Sequence, residues 1–120
     1  MANEFKSSVG KPVPKGEAVK WIEKYDKDVR KDKTKDTKSV FFGRDILLSI
    51  LAQEGCAGIS FMLAMKHNDY AQKDMVTLVL VGTKEDGTLM WEESISGKDG
   101  NGGGTTADDA LPCPPYCPKP

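Results

Sequence analysis

The chain has 120 residues, 38% of them hydrophobic and 29% charged, which suffices for one small domain and excludes two independent cores. Lys and Arg number 17 against 18 Asp and Glu, a formal charge of -1, so no global electrostatic pull toward nucleic acid or an anionic membrane is expected. Three cysteines is an odd number, and the opening MANEFKSSVGKPVPKG has no apolar targeting run; a soluble, cytoplasmic protein held by packing rather than by a disulfide framework is expected.

Residues 1–13 read as an N-terminal arm. Ala18, Trp21, Ile22, Tyr25 and Val29 then fall at helical spacing, which predicts an amphipathic helix from about Pro14 to Arg30, with Pro14 suited to its first turn. Lys20, Lys24, Lys27 and Lys31 share the remaining surface with Glu23, Asp26 and Asp28, the mixture of a solvated face. The run KDVRKDKTKDTK, Lys27 to Lys38, mixes both signs and cannot bury itself, so it reads as the helix end plus a mobile connector. It lacks the stacking aromatics and strongly basic face of a nucleic-acid reader.

In SVFFGRDILLSILAQEGC, Ile46, Leu47, Ile50 and Leu51 trace a second helix, with Asp45 complementing its dipole and Gly55 supplying the stop. Val40, Phe41 and Phe42 precede it as a short strand or hydrophobic lead-in. From Gly58 the period changes to two: Ile59, Phe61, Leu63 and Met65 alternate with Ser60, Met62, Ala64 and Lys66, predicting a strand with one strongly buried face. MVTLVLVGT, residues 75–83, is rich in β-branched residues and predicts a central strand. HNDYAQKD joins the two, and EDG turns the chain into TLMWEE.

The fold class expected is therefore α+β: a small antiparallel sheet of about three strands in a meander, covered on one face by two helices. Its core would draw on Trp21, Ile22, Tyr25, Leu47, Ile50, Leu51, Ile59, Phe61, Leu63, Val79 and Val81. Residues 14–95 form the single domain. The exposed edges of a three-stranded sheet make a homodimer plausible.

Residues 96–120 read as a flexible Gly-rich linker carrying a Pro/Cys tip, CPPYCPKP, whose prolines favour a stiff polyproline II segment presenting Tyr116 and both thiols outward. Zinc would need Cys113 and Cys117 completed by Cys56 and His67, but flanking prolines hinder a metal knuckle. A Cys113–Cys117 disulfide is geometrically accessible, although a reducing compartment would leave it open. A folded leader followed by Gly102 to Gly104 and then Thr105, Thr106, Cys113 and Cys117 has the layout of a ribosomally made, modified peptide precursor, in which a protease cuts after a double glycine and Cys adds to dehydrated Thr. The favoured reading is a recognition motif: Cys113, Pro114, Pro115, Tyr116 and Cys117 docking into a protein partner, with Tyr116 as apolar anchor and the prolines as stiffener.

Catalytic readings are weaker. Cys56 and His67 are the one Cys–His pair available, and Cys56, just past a helix stop, suits space-filling, while His67 falls in a polar turn. GKDGNGGGTT lacks the order of a phosphate loop, and as a calcium loop Asp99, Asn101 and Gly104 would end on Ala110 where a bidentate glutamate is required. No enzyme activity, cofactor, nucleic acid or membrane is implied.

The strings FFGRDILLSILAQEGCAGISF and TLVLVGTKEDGTL with a terminal CPPYC resemble a group of small uncharacterised bacterial proteins marked by an LAQ-x-G-C helix end, an LVLVG strand and a terminal Cys-Pro-Pro-aromatic-Cys. The resemblance covers roughly residues 40–90 and the tip. It implies that core and tip belong together, and it carries no activity, cofactor or partner.

Overall fold

The computed structural model describes residues 3–91 and 106–119. The elements run α1 (Lys15–Asp28), β1 (Ser39–Phe41), α2 (Arg44–Leu51), β2 (Cys56–Asn68), β3 (Lys73–Lys84), β4 (Leu89–Met90), β5 (Thr106–Ala107) and β6 (Leu111–Cys113). The α+β class holds. The strands form antiparallel sheets of four and two strands, more than the three expected. The first follows the order β2-β3-β4 with β5 also on β3, and the second is β1-β6. The two extra pairings come from segments too short to show a period in the sequence.

The chain resolves into two compact units, and the long strands β2 and β3 contribute to both. The first comprises Met1–Val9, Phe42–Ala64 and Leu78–Ala110. In it β3 pairs with β4 through Gly82↔Met90 and Thr83↔Leu89, and with β5 through Leu80↔Ala107 and Val81↔Thr106. Ile50 of α2 is fully buried and meets Leu80 and Ala107, with Phe42, Ile46, Leu47, Cys56, Ile59 and Leu78 packed around them. α2 starts after Gly43 and carries Asp45 in its first turn, where a carboxylate suits the unsatisfied N–H groups. Its exit is closed by Cys56 N–H donating to Gln53 O at 3.0 Å, and Gly55 adopts φ +87°, a left-handed conformation that glycine reaches at low cost. Phe5 N–H donates to Glu85 O at 3.1 Å, and the Phe5 ring lies against Gly87 in the β3–β4 turn.

The second unit comprises Gly10–Phe41, Met65–Thr77 and Leu111–Pro120. α1 forms where the periodicity places it, entered from Pro14, whose carbonyl accepts the Ala18 N–H at 3.0 Å. The β2–β3 hairpin closes here: Gln72 N–H donates to Asn68 O at 2.7 Å and Ala71 N–H to Asn68 Oδ1 at 2.9 Å. Asn68 thus supplies both the strand end and the side-chain acceptor that shapes the turn.

Three sequence expectations are corrected. α1 buries none of its side chains: Trp21, Ile22 and Tyr25 are exposed and stand outside the core. On β2, Phe61 and Leu63 are 57% and 81% exposed and Met65 is exposed too, so the alternation marks no buried face; among the described residues β2 has only β3 as neighbour. Leu51 is likewise exposed, whereas Ile50 and Val81 are fully buried and Leu47, Ile59 and Val79 half-buried, as a core role requires.

The charged connector is the third correction. Arg30 and Thr37 are buried. The Arg30 guanidinium donates to Asp36 O at 2.7 Å and Lys33 O at 2.8 Å and is paired with Asp26. Asp36 Oδ2 accepts the N–H groups of Lys31 and Asp32, and Asp32 Oδ1 accepts both the N–H and the hydroxyl of Thr34. A segment whose single apolar residue, Val29, is exposed is thus ordered by charge-assisted hydrogen bonds.

Candidate functional site

The structure brings Cys113, Pro114, Pro115, Tyr116 and Cys117 into one closed loop at the end of β6. β6 pairs antiparallel with β1 through Ser39↔Cys113, Val40↔Pro112 and Phe41↔Leu111. A proline in this ribbon lies on an edge strand, where the missing N–H breaks no ladder. Lys38 N–H donates to Cys113 O at 2.7 Å, and Tyr116 N–H folds back to Pro112 O at 2.9 Å. Cys113 and Cys117 are joined by a disulfide with their Cα atoms 4.6 Å apart, and the Cys113–Pro114 and Pro114–Pro115 peptide bonds are cis.

This corrects the extended polyproline II tip. The chain turns back on itself, Cys113 is 2% exposed, and neither sulfur is a free thiol. Tyr116 remains 56% exposed, beside exposed Pro115 and Cys117. The described part of the expected flexible tail, from Thr106, also pairs as strands β5 and β6. The glycine run and the calcium-loop residues Asp99, Asn101 and Gly104 lie outside the described residues, as does Thr105.

The platform under the loop is built by part-buried hydrogen bonds. Thr37, just before β1, donates its hydroxyl to Val76 O at 2.6 Å, while its carbonyl accepts the Tyr25 hydroxyl at 3.1 Å. The next residue, Lys38, makes the bond to Cys113. A succession of polar contacts therefore runs from α1 and β3 through Thr37 to the closed loop. Thr37 and Lys38 were missed from the sequence, because their roles depend on contacts with residues tens of positions away. The only local signal for the disulfide was the i, i+4 cysteine spacing.

The other candidate chemistry is not assembled. With Cys113 and Cys117 bonded to each other, the zinc set loses two thiolates. Among the described residues no group of three or more His, Cys, Asp and Glu could hold a metal ion. Cys56 is a free thiol whose Sγ contacts Gly58 O at 3.2 Å beside the core of the first unit. His67 lies in β2 of the second unit rather than in a turn, exposed, with Nε2 at 3.3 Å from Asp69 Oδ1. A cavity of about 390 Å³ in the first unit is lined by Phe5, Val9, Ile59, Ser60 and Thr83 among others. Its Ser60 and Thr83 hydroxyls hydrogen-bond to each other at 2.6 Å, so neither is left aimed at a ligand.

No helix among the described residues is long and apolar enough to cross a membrane. Comparisons with protein-family models, curated proteins and solved structures give no match to this chain.

Proposed function

We propose that the chain is a non-enzymatic binding or adaptor module whose disulfide-closed CPPYC loop presents Tyr116 to a protein partner. The observation that carries this reading is the contrast within the loop: Cys113 is buried and paired with β1, while Tyr116, three residues on, is 56% exposed. An exposed aromatic on a loop already fixed in shape is the arrangement that lowers the ordering cost of docking. Aromatic anchors of this kind dominate binding energy where they fill a partner pocket. The prolines keep their stiffening role in this reading, now inside a closed turn.

The precursor reading asks Cys113 or Cys117 to attack dehydrated Thr105 or Thr106. No specific observation favours it: the two cysteines are joined to each other and Thr106 lies in β5.

A photo-crosslinking phenylalanine analogue placed at position 116 in the full chain tests the proposal. One discrete protein adduct is expected in the native host, competed by excess wild-type chain and lost when Cys113 and Cys117 are both replaced by Ser. With the partner in hand, Tyr116→Ala should weaken binding by about 2 kcal/mol, roughly thirtyfold in Kd. An absent adduct, or one unchanged in the double-Ser chain, contradicts the reading.

A further inference from the structure

α1 is an amphipathic helix whose apolar stripe is left largely exposed by the described residues. Trp21, Ile22 and Val29 are 61%, 51% and 56% exposed, and no residue of the helix is buried. Polar contacts tie α1 into its unit: the Tyr25 hydroxyl on Thr37 O, and Asp26 on Arg30 and Lys33. A 14-residue helix is about 21 Å long and marginal in water by itself, so an uncovered stripe of this size calls for a partner.

We infer that α1 is a homodimerisation helix, its stripe covered by α1 of a second copy running antiparallel. Two features select this occupant. First, KGEAVKWIEKYDKD carries four basic and four acidic residues, a balance that gives an anionic lipid surface nothing to attract. Second, the stripe is self-complementary in the antiparallel sense. At about 100° per residue, Glu17 and Lys24 flank the stripe on the same side. With the two-fold axis beside Trp21, Glu17 lies opposite Lys24 of the second copy, and the pair occurs twice by symmetry. In the same register the small Ala18 lies within one residue's rise of Ile22 of the second copy, leaving room for the two Trp21 rings near the axis. A parallel two-fold would instead carry the Glu17 and Lys24 flanks of the two helices to opposite sides of the seam, where this pair cannot form. Lys24 already contacts Asp28 of its own helix at 3.4 Å, but both side chains are largely exposed and that pair is readily exchanged. A contact confined to one helix pair is at the small end of specific interfaces, so the dimer should dissociate over the micromolar range, about 5 to 500 µM.

Sedimentation equilibrium of the full chain at low salt tests this, with far-UV circular dichroism as the check on α1. The wild-type chain should show a monomer–dimer equilibrium, and Trp21→Glu should weaken it at least tenfold. Glu17→Lys and Lys24→Glu should each weaken self-association, because each places like charges opposite one another. Mixing those two variants should restore the dimer, since both cross-pairs then become Lys with Glu. A wild-type chain that stays monomeric throughout overturns the inference. So does a dimer indifferent to Trp21→Glu, or a mixture that fails to recover. Tyr116→Ala should leave the equilibrium unchanged, which keeps this surface separate from the proposed partner loop.

Discussion

Arg30 sits fourth in a dodecapeptide that looks, by composition, like a solvated connector, and it is the residue that makes the connector a structure. The residue is 6% exposed, and its guanidinium is satisfied by one carboxylate and two backbone carbonyls. Arg30→Ala removes all three contacts at once and should cost about 2 to 3 kcal/mol, read as a lower urea midpoint. The Arg30 hydrogen bond holds the Asp26 carboxyl below its ordinary value of 3.8, and the Thr34 hydroxyl and N–H do the same for Asp32. A depressed folded-state pKa contributes stability that is complete above the unfolded value and is lost as pH falls through the folded one. Stability should therefore decline below about pH 4, and the Asp26 share of that decline should shrink in Arg30→Ala, leaving the part that Lys33 supplies. Thr106 is the opposite case: among the described residues its Oγ1 is buried without a hydrogen-bond partner. Thr106→Val should be neutral or slightly stabilising in thermal unfolding, because it removes a desolvated hydroxyl at little change in shape.

At the scale of elements, the packing of α2 on β3 depends on a side chain that is not there. A Cβ at Gly82 would come within 2.7 Å of Gln53 Nε2, 3.1 Å of Cys56 Sγ and 3.2 Å of Ile50 Cγ2. Gln53 can swing away, but Ile50 and Cys56 belong to the packed cluster. Gly82→Ala should cost about 1 to 3 kcal/mol, checked by chemical denaturation. Both helices and the two long strands were legible because each has enough residues to show a period: the stripe of α1, the Ile46 to Leu51 face of α2, and the β-branched run of β3. What period does not reveal is which stripe finds a partner. Trp21, Ile22, Phe61 and Leu63 have the spacing of core residues yet stay exposed, because periodicity reports amphipathicity and not the surface that meets it. Strands of two or three residues, β4, β5, β6 and β1, carry no period at all, and only the VFF run and the turn into TLMWEE foreshadowed β1 and β4.

At the scale of the whole molecule, the loop residues Cys113 to Cys117 were legible as a cluster of unusual composition, whereas their closed geometry was not. That geometry depends on β1 reaching β6 across more than seventy positions and on Thr37 and Lys38 being fixed beforehand, neither of which a local string records. The proposed binding role depends above all on the loop being closed in an intact chain. The measurement that tests this directly is the intact mass of protein from its native host, alkylated with and without prior reduction. The account predicts a full-length, undehydrated chain that takes one alkyl group without reduction, at Cys56, and three after it. Three groups without reduction would mean an open loop, and cleavage near Gly104 or loss of water from Thr105 or Thr106 would make the domain a leader; either result contradicts the account.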